Sequence, residues 1–322
     1  MIAAMNDLCT AIRASRGILL VTHCNPDGDG IGSQLALYHA LQAGGFPVHM
    51  HNRDGVPRIY KFLEGSSQVG SGLKVSVQDI DLIVSLDAGS RSRLGFDDSL
   101  FSGRKLAVID HHASNAHFGD INVIDTSACS TGAMVYELIH LMELPLSKGS
   151  AAAIYVTLLT DTTSFHNAST TPEVFELAAA LVRAGAEPWP IARSVYEDRS
   201  RPCFELQVRC MQTLDLRHQE RSAWMHVDER MYQDTNSDGE DTEGLIDLAR
   251  ALSGVQIAVF MRPGDDAHSW KVTFRGKFDI DVGALAVSLG GGGHRHAAGC
   301  TMQGDYDSIR NKVERAVEAA LG

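Results

Sequence analysis

Short apolar runs rich in β-branched residues recur through the first half of the chain, at residues 17–21, 46–51, 81–86 and 105–109, with a shorter one at 121–124. Between them the apolar positions take a helical period. Residues 1–16 read as a short amphipathic helix stopped by Gly17, and a helix begins at 34–41. Further helices are expected over 131–143 and 147–160. Another is opened by Thr171 as N-cap with Pro172 at its first position, and it runs to Gly185. Strands alternating with helices, the strands apolar on both faces, predict an α/β fold: a parallel sheet with helices on both sides.

The second half has another grammar. Strand patterns at 223–227, 255–261 and 270–274 are separated by turn signals such as residues 263–266, and helices are expected over 281–289 and 306–321. This is a smaller α+β domain. Prolines at 188, 190 and 202 break the pattern between the halves. They place a first domain at 1–187, a linker at 188–210 containing a helix over 191–197, and a second domain at 211–322.

The first three well-formed strands that lead to polar chemistry do so at the same end. The run at 17–21 leads into His23, Asp27 and Asp29, within VTHCNPDGDGIGS. The run at 81–86 leads into Asp87, and the run at 105–109 into Asp110, His111 and His112. Polar residues directly after buried parallel strands face one crevice. Asp161 closes the helix over 147–160, where the helix dipole disfavours a carboxylate, so a cation is the better explanation of its presence. Imidazoles and carboxylates crowded together need a positive partner, and mixed nitrogen and oxygen donors suit Mn²⁺, Zn²⁺ or Fe²⁺ better than an all-oxygen cage does.

The second domain carries Gly290-Gly291-Gly292-Gly293-His294 followed by Ala297-Ala298-Gly299. Glycines let backbone amides approach an anion, and His294 adds a side-chain donor. Arg275, at the end of the strand over 270–274, could grip phosphate oxygens with two donors. The acidic stretch 234–243, DTNSDGEDTE, lacks the closing glutamate of a calcium loop and reads as a solvated acidic loop.

Charge narrows the function. Twenty-eight Lys and Arg against 40 Asp and Glu give a net charge of −12, a poor basis for wrapping long duplex nucleic acid. A short nucleotide can still bind where metals and a few arginines reverse the local field. The six cysteines are scattered with no CxxC, which argues for reduced thiols and against a disulfide framework or a zinc ribbon. No run approaches the roughly 20 apolar residues of a membrane span, and the N-terminus does not read as a signal peptide. A cytoplasmic location is expected.

His23-x-x-Pro26-Asp27-x-Asp29, Asp87, Asp110-His111-His112 and Asp161, in that order, resemble the DHH phosphoesterase superfamily, and Gly291-Gly292-Gly293-His294-x-x-Ala297-Ala298-Gly299 resembles its DHHA1 subfamily. The resemblance implies a DHH domain and a DHHA1 domain with the active site in the cleft between them. It implies two divalent ions, most readily Mn²⁺, with Mg²⁺, Co²⁺ or Fe²⁺ as alternatives. His23, Asp27 and Asp87 would hold one; Asp29, Asp87, His111 and Asp161 would hold the other, with Asp87 bridging. His112 would lie near the scissile phosphate with Asp110 behind it. Gly291, Gly292, Gly293 and His294 would bind the terminal phosphate of the substrate, with Arg275 beside them. The implied reaction is hydrolysis by a metal-bridging hydroxide. It would release nucleoside 5′-monophosphates from short oligoribonucleotides and take the 3′-phosphate from 3′-phosphoadenosine 5′-phosphate (pAp).

Alternatives are a phosphodiesterase of cyclic or linear signalling dinucleotides and a nucleotide-binding regulator without turnover. A homodimer stays open. Two departures from the family pattern stand out: Gly30 where alanine is usual, and His166 where many relatives carry a basic residue after Ser-Phe.

Overall fold

The computed structural model describes residues 2–74, 78–264, 266 and 268–322. The chain divides into two units, 1–198 and 199–322.

In the first unit, helix α1 (Ile2–Ala14) precedes β1 (Ile18–Thr22), α2 (Gly28–Ala43), β2 (Val48–Asn52) and the two-residue β3 (Gly70–Ser71). Then come β4 (Leu82–Leu86), β5 (Lys105–Asp110) and β6 (Ile121–Ile124). Helices α3 (Thr131–Leu141), α4 (Lys148–Asp161), α5 (Pro172–Arg183) and α6 (Pro188–Tyr196) complete it. The six strands are all parallel, in the order β3-β2-β1-β4-β5-β6. β1 and β4 are buried at every position, as a sheet covered on both faces requires. One core packs α1, α2, α3 and α4 against one face; a smaller one, built on Leu19, Ile83, Leu94, Phe101 and Val108, covers the other.

Two features fix α2 in place. Where it meets α4 it presents glycines: a Cβ on Gly32 would stand 2.6 Å from the Ala153 carbonyl oxygen, and one on Gly28 2.5 Å from Thr160 Cγ2. A buried amide pair ties its other side to the sheet. Gln34 Nε2 donates to Asn52 Oδ1 (2.9 Å) and to the Leu20 carbonyl (2.8 Å), and Asn52 Nδ2 returns a bond to Gln34 Oε1 (2.8 Å). Each polar atom used here is buried with a partner, so a rotation of α2 would leave several unsatisfied.

The second unit contains α7 (Arg201–Met211), β7 (Asp215–Arg217), β8 (Ser222–His226), α8 (Glu229–Thr235) and α9 (Leu245–Arg250). β9 (Ile257–Pro263), β10 (Ser269–Gly276), α10 (Val282–Ser288), β11 (Gly292–His294), β12 (Ala297–Gln303) and α11 (Tyr306–Leu321) follow. Its six strands run in the order β11-β12-β10-β9-β8-β7, parallel between β8 and β9 and antiparallel elsewhere. The expected α+β domain is therefore present, with more strands than hydropathy alone marks.

Several local expectations change. Thr171 occupies the N-cap position of α5, but its side chain makes no cap hydrogen bond to the helix backbone. The acidic stretch 234–243 is not wholly solvated: a 3₁₀ turn at Gly239–Thr242 is closed by a capping box between Asp238 and Asp241, and Asp241 and Thr242 are buried. Residues 191–197 fall largely within α6, and α7 follows after the turn at 198–200. Asp265 of the expected turn at 263–266 lies outside the described residues. Among the described residues no helix is long and apolar enough to cross a membrane.

Asp81 anchors the start of the central strands. Its carboxylate accepts from Ser15 Oγ (2.6 Å), Arg16 N (3.1 Å) and Gly17 N (3.4 Å), which holds its pKa down to about 2. Asp81→Asn should lower the unfolding free energy at neutral pH by about 1–2 kcal/mol, read from urea midpoints. A carboxylate with a depressed folded pKa stabilises fully above its unfolded pKa, about 4, and its contribution disappears as the pH falls to about 2. The gap between wild type and variant should therefore close over that window. A gap that persists at pH 2 would show that packing, not charge, sets it.

Candidate metal centre

The sheet order makes β1 and β4 neighbours whose onward connections run in opposite directions, and the crevice at such a switch point is where open parallel sheets bind ligands. His23, Asp27 and Asp29 follow β1; Asp87 follows β4; Asp110, His111 and His112 end or follow β5. All lie at the carboxyl edge of three adjacent strands. Asp161 comes from elsewhere, as the last residue of α4.

The backbone sets each carboxylate. Asp27 caps α2, its Oδ1 accepting from Asp29 N (3.0 Å) and Gly30 N (3.1 Å). Asp29 is 1% exposed and is held from 102 residues away: Thr131 N donates to Oδ2 (2.7 Å) and Gly132 N to Oδ1 (3.0 Å), at the amino end of α3. The dipole of that helix favours the charge. Asp87 is 2% exposed, accepts from Thr131 Oγ1 (3.0 Å), and sits in the left-handed region at φ 58°. That conformation costs a non-glycine residue about 1–2 kcal/mol, and such outliers concentrate at functional sites.

The histidines show what the carboxylates surround. His23 Nδ1 lies 2.9 Å from the Cys24 carbonyl and His111 Nδ1 lies 3.1 Å from the Ala128 carbonyl. A carbonyl can only accept, so both rings carry a proton on Nδ1 and turn Nε2 inward. His23 Nε2 then faces Asp87 Oδ2 (3.5 Å) and Asp27 Oδ1 (3.7 Å). His111 Nε2 faces Asp161 Oδ2 (3.0 Å), Asp29 Oδ2 (3.5 Å) and Asp87 Oδ1 (3.8 Å). Lone pairs meet lone pairs at these distances, and only a cation between them resolves the contact.

In the protein alone that cation is a proton. Burial pulls both imidazoles down, but Asp27 and Asp87 more than offset it at His23, raising it to about 10. Asp161, with Asp29 and Asp87, likewise raises His111 to about 11. The acids share the strain. Burial, with Asp87 and Asp161 nearby, pushes Asp29 well above the usual carboxylate range, and burial pushes Asp161 to about 6 despite His111. Asp87 moves the other way, its hydrogen bond from His23 and the charges of His112, His23 and His111 outweighing burial. A divalent ion would relieve both sets at once.

His23, Asp27 and Asp87 bring donor atoms within 4.8 Å of one another, and so do Asp29, Asp87 and His111. Asp87 belongs to both groups, and Asp161 joins the second through His111. The donor chemistry therefore fits two divalent ions sharing one carboxylate. Tethered Nδ1–H groups of this kind are what orient metal-binding histidines.

Asp110 and His112 form a second layer. Asp110 is fully buried; His112 Nδ1 donates to its Oδ1 (2.7 Å), and Asn115 Nδ2 donates to its Oδ2 (2.5 Å) and to the Ala88 carbonyl (3.1 Å). His112 is partly exposed, so its Nε2 is the atom turned away from Asp110.

The remaining expected residues lie in the second unit. Gly292, Gly293 and His294 form the edge strand β11, in register with Gly299, Ala298 and Ala297. They are thus part of a sheet and not a loose loop. Glycine is required there: a Cβ on Gly293, at φ 142°, would stand 2.6 Å from the Ala297 carbonyl oxygen, and one on Gly291 2.2 Å from that of Gly299. Arg275 lies on β10, its Nε 3.8 Å from Asp247 Oδ1, an oxygen it shares with Arg250 Nε at 3.2 Å.

The backbone at Thr131 and Gly132, the Thr131 hydroxyl and Asn115 escaped the sequence reading. The first leaves no side-chain signature; Asn115, three residues after His112, was the one legible signal. Gly30 complements Thr22, whose Oγ1 would stand 2.4 Å from a Cβ at position 30.

The chain is similar to known proteins over nearly its whole length. The sequence matches the DHH family, N-terminal domain, over residues 17–161 and the DHHA1 domain over 228–320. It is 32% identical over 322 residues to the Thermus thermophilus protein named bifunctional oligoribonuclease and PAP phosphatase NrnA, covering 98% of this chain and 94% of that one. The Bacillus subtilis protein of the same name is 26% identical over 298 residues, covering 88% of this chain and 89% of that one. Among solved structures, an exopolyphosphatase-related protein from Bacteroides fragilis superposes with a TM-score of 0.85 at 24% identity, covering 100% of this chain and 96% of that one. RecJ from Thermus thermophilus, in complex with Mn²⁺, superposes at 0.55 and 14% identity, covering 98% of this chain and 54% of that one.

Metal should stabilise the fold. Mn²⁺ at a hundred times its dissociation constant should add about 2.7 kcal/mol, a rise in Tm of about 5–10 °C for a unit of this size. Asp87→Ala removes the shared carboxylate and should abolish that rise. A full Mn²⁺-dependent shift in the variant would refute the shared role of Asp87.

Proposed function

We infer the activity from one premise: this chain belongs to the DHH family, joining a DHH N-terminal domain to a DHHA1 domain. It is a metal-dependent phosphoesterase. It hydrolyses short oligoribonucleotides to nucleoside 5′-monophosphates and removes the 3′-phosphate of pAp. The observation that carries the chemistry is the meeting of histidine Nε2 atoms with carboxylate oxygens at 3.0–3.8 Å in a buried crevice. The substrate class is supported by relatives, matched over nearly their whole length, whose names describe both activities.

In this reading His23, Asp27, Asp87, Asp29, His111 and Asp161 hold two divalent ions, Mn²⁺ first among the choices. When bound, such ions supply an activated water and counter-charge for the attacking and leaving oxygens of an in-line displacement. The chain's own residues do the rest. The amide groups of α3 and the Thr131 hydroxyl hold Asp29 and Asp87 before anything binds, so no reorganisation is needed at the moment of reaction. Asp110 keeps the proton of His112 on Nδ1 in the neutral ring and stabilises the imidazolium, which leaves Nε2–H to donate to a phosphate oxygen or to the departing ribose oxygen. Although burial pulls the ring down, the hydrogen bond to Asp110 and the charge of Asp87 raise the pKa of His112, which favours the donating form. No Ser or Cys nucleophile enters the reaction. In the second unit, Gly291–Gly293, His294 and Arg275 form an anion site for a terminal phosphate of the substrate.

A time course with Mn²⁺ on pAp, a 5-mer RNA and a linear dinucleotide such as pGpG tests the reading. Phosphate from pAp together with mononucleotides from the 5-mer is expected, and a 50-mer RNA should be cut far more slowly. Turnover of the dinucleotide alone would move the function to signalling-nucleotide degradation. Equal rates on the 5-mer and the 50-mer would rule out a short-substrate enzyme.

A further inference from the structure

After β4 and Asp87 the chain makes a 3₁₀ turn at Arg91–Leu94, and this turn is docked against the first motif. Cys24 N donates to the Arg93 carbonyl at 2.7 Å. Gly95, left-handed at φ 70°, closes the turn so tightly on Cys24 that a Cβ would stand 2.2 Å from its Sγ. The backbone of Arg93 therefore has one position relative to His23.

The two arginines of the turn differ. Arg91 is already engaged: Nη2 lies 3.0 Å from Asp98 Oδ1 and the guanidinium covers the Phe101 ring at 4.4 Å. Arg93 is exposed, and among the described residues no carboxylate lies within ion-pair distance of it. Among the described residues the one hydrogen-bond contact of its side chain is with His23 Nδ1, 3.4 Å from Nη2. That contact cannot satisfy it, because the 2.9 Å approach to the Cys24 carbonyl puts a proton on His23 Nδ1. Two donors face each other. An exposed guanidinium without a carboxylate partner among the described residues, in a chain of net charge −12, is placed to serve an anion that comes from outside.

Its placement says which anion. His23 turns Nε2 toward Asp27 and Asp87 and Nδ1 toward Arg93, so the guanidinium is separated from the carboxylate cluster by the width of an imidazole ring. That is too far for the phosphate that reacts at the cluster and suits a phosphate farther along the same nucleotide. We propose that Arg93 is a substrate-binding residue that grips a second, non-reacting phosphate, such as the 5′-phosphate of pAp or of a 5′-phosphorylated dinucleotide. A planar guanidinium suits the task, since it offers paired donors to phosphate oxygens. The proposal rests on the phosphoesterase reading above and adds a specificity element within the first unit.

The test compares pAp with adenosine 3′-monophosphate, which presents the same scissile bond without the 5′-phosphate. For Arg93→Gln, KM for pAp should rise about tenfold or more, the usual loss for a charge-assisted contact, with kcat changing much less. The ratio of kcat/KM for pAp to that for adenosine 3′-monophosphate should fall by a similar factor. Arg93→Lys should recover part of the ratio, because it keeps the charge without the paired donors. Arg91→Gln, which loses only the Asp98 and Phe101 contacts, should keep the wild-type ratio. If the wild type is active and Arg93→Gln leaves KM and the ratio unmoved, or lowers kcat alone, the subsite falls and the phosphoesterase reading stands. A wild type that turns over neither pAp nor short RNA overturns that reading and the subsite with it.

Discussion

Buried acceptors without a proton or metal between them repel, and the first unit is built around a place where they are forced together. Asp29, Asp87, Asp161 and the inward Nε2 atoms of His23 and His111 converge where three parallel strands end. A sheet of antiparallel strands would send these residues to opposite edges. The parallel arrangement aims them all at one, and the reversal of strand order between β1 and β4 opens the crevice that receives them. Stability is spent here for chemistry: a left-handed aspartate, raised acids and protonated histidines are tolerated because the surrounding core holds them.

What holds them is mostly backbone. Asp27 leans on the first turn of α2 and Asp29 on the first turn of α3, so two helix termini fix two carboxylates. α2 itself cannot slide, since its glycines touch α4 and its Gln34 is locked to Asn52. The same logic continues one layer out, where Asn115 steadies Asp110 and Asp110 steadies His112.

Much of this was legible in the sequence, for a physical reason. Parallel strands buried on both faces leave uninterrupted apolar runs, so the ends of β1, β4 and β5 could be read, and with them His23, Asp87 and Asp110–His112. Asp161 was visible because a carboxylate at the end of an apolar helix works against the dipole. The second unit was harder. β11 and β12 are built from Gly, Ala and Cys, which give no alternation, and β7 has only three residues. Its glycines read as an anion loop, although the sheet requires them for close strand approach. The amides of Thr131 and Gly132 could not be foreseen, because a backbone donor from a distant helix leaves no trace in residue type. Arg93 was hidden for the opposite reason: two arginines in SRSRLG look alike until one is seen to be engaged and the other not.

The contact between Asp29 and the α3 amides spans more than a hundred residues, and Asp161 lies farther still along the chain. Contacts of such range form late, since a long loop must close before they are rewarded. Until α3 and α4 have packed onto α2, the crevice lacks one carboxylate and the strut that seats another. A nascent chain that has exposed only β1 to β5 carries the His23, Asp27 and Asp87 group but lacks Asp161 and the amides that seat Asp29. The second donor group is therefore complete only when the first 161 residues have found their fold.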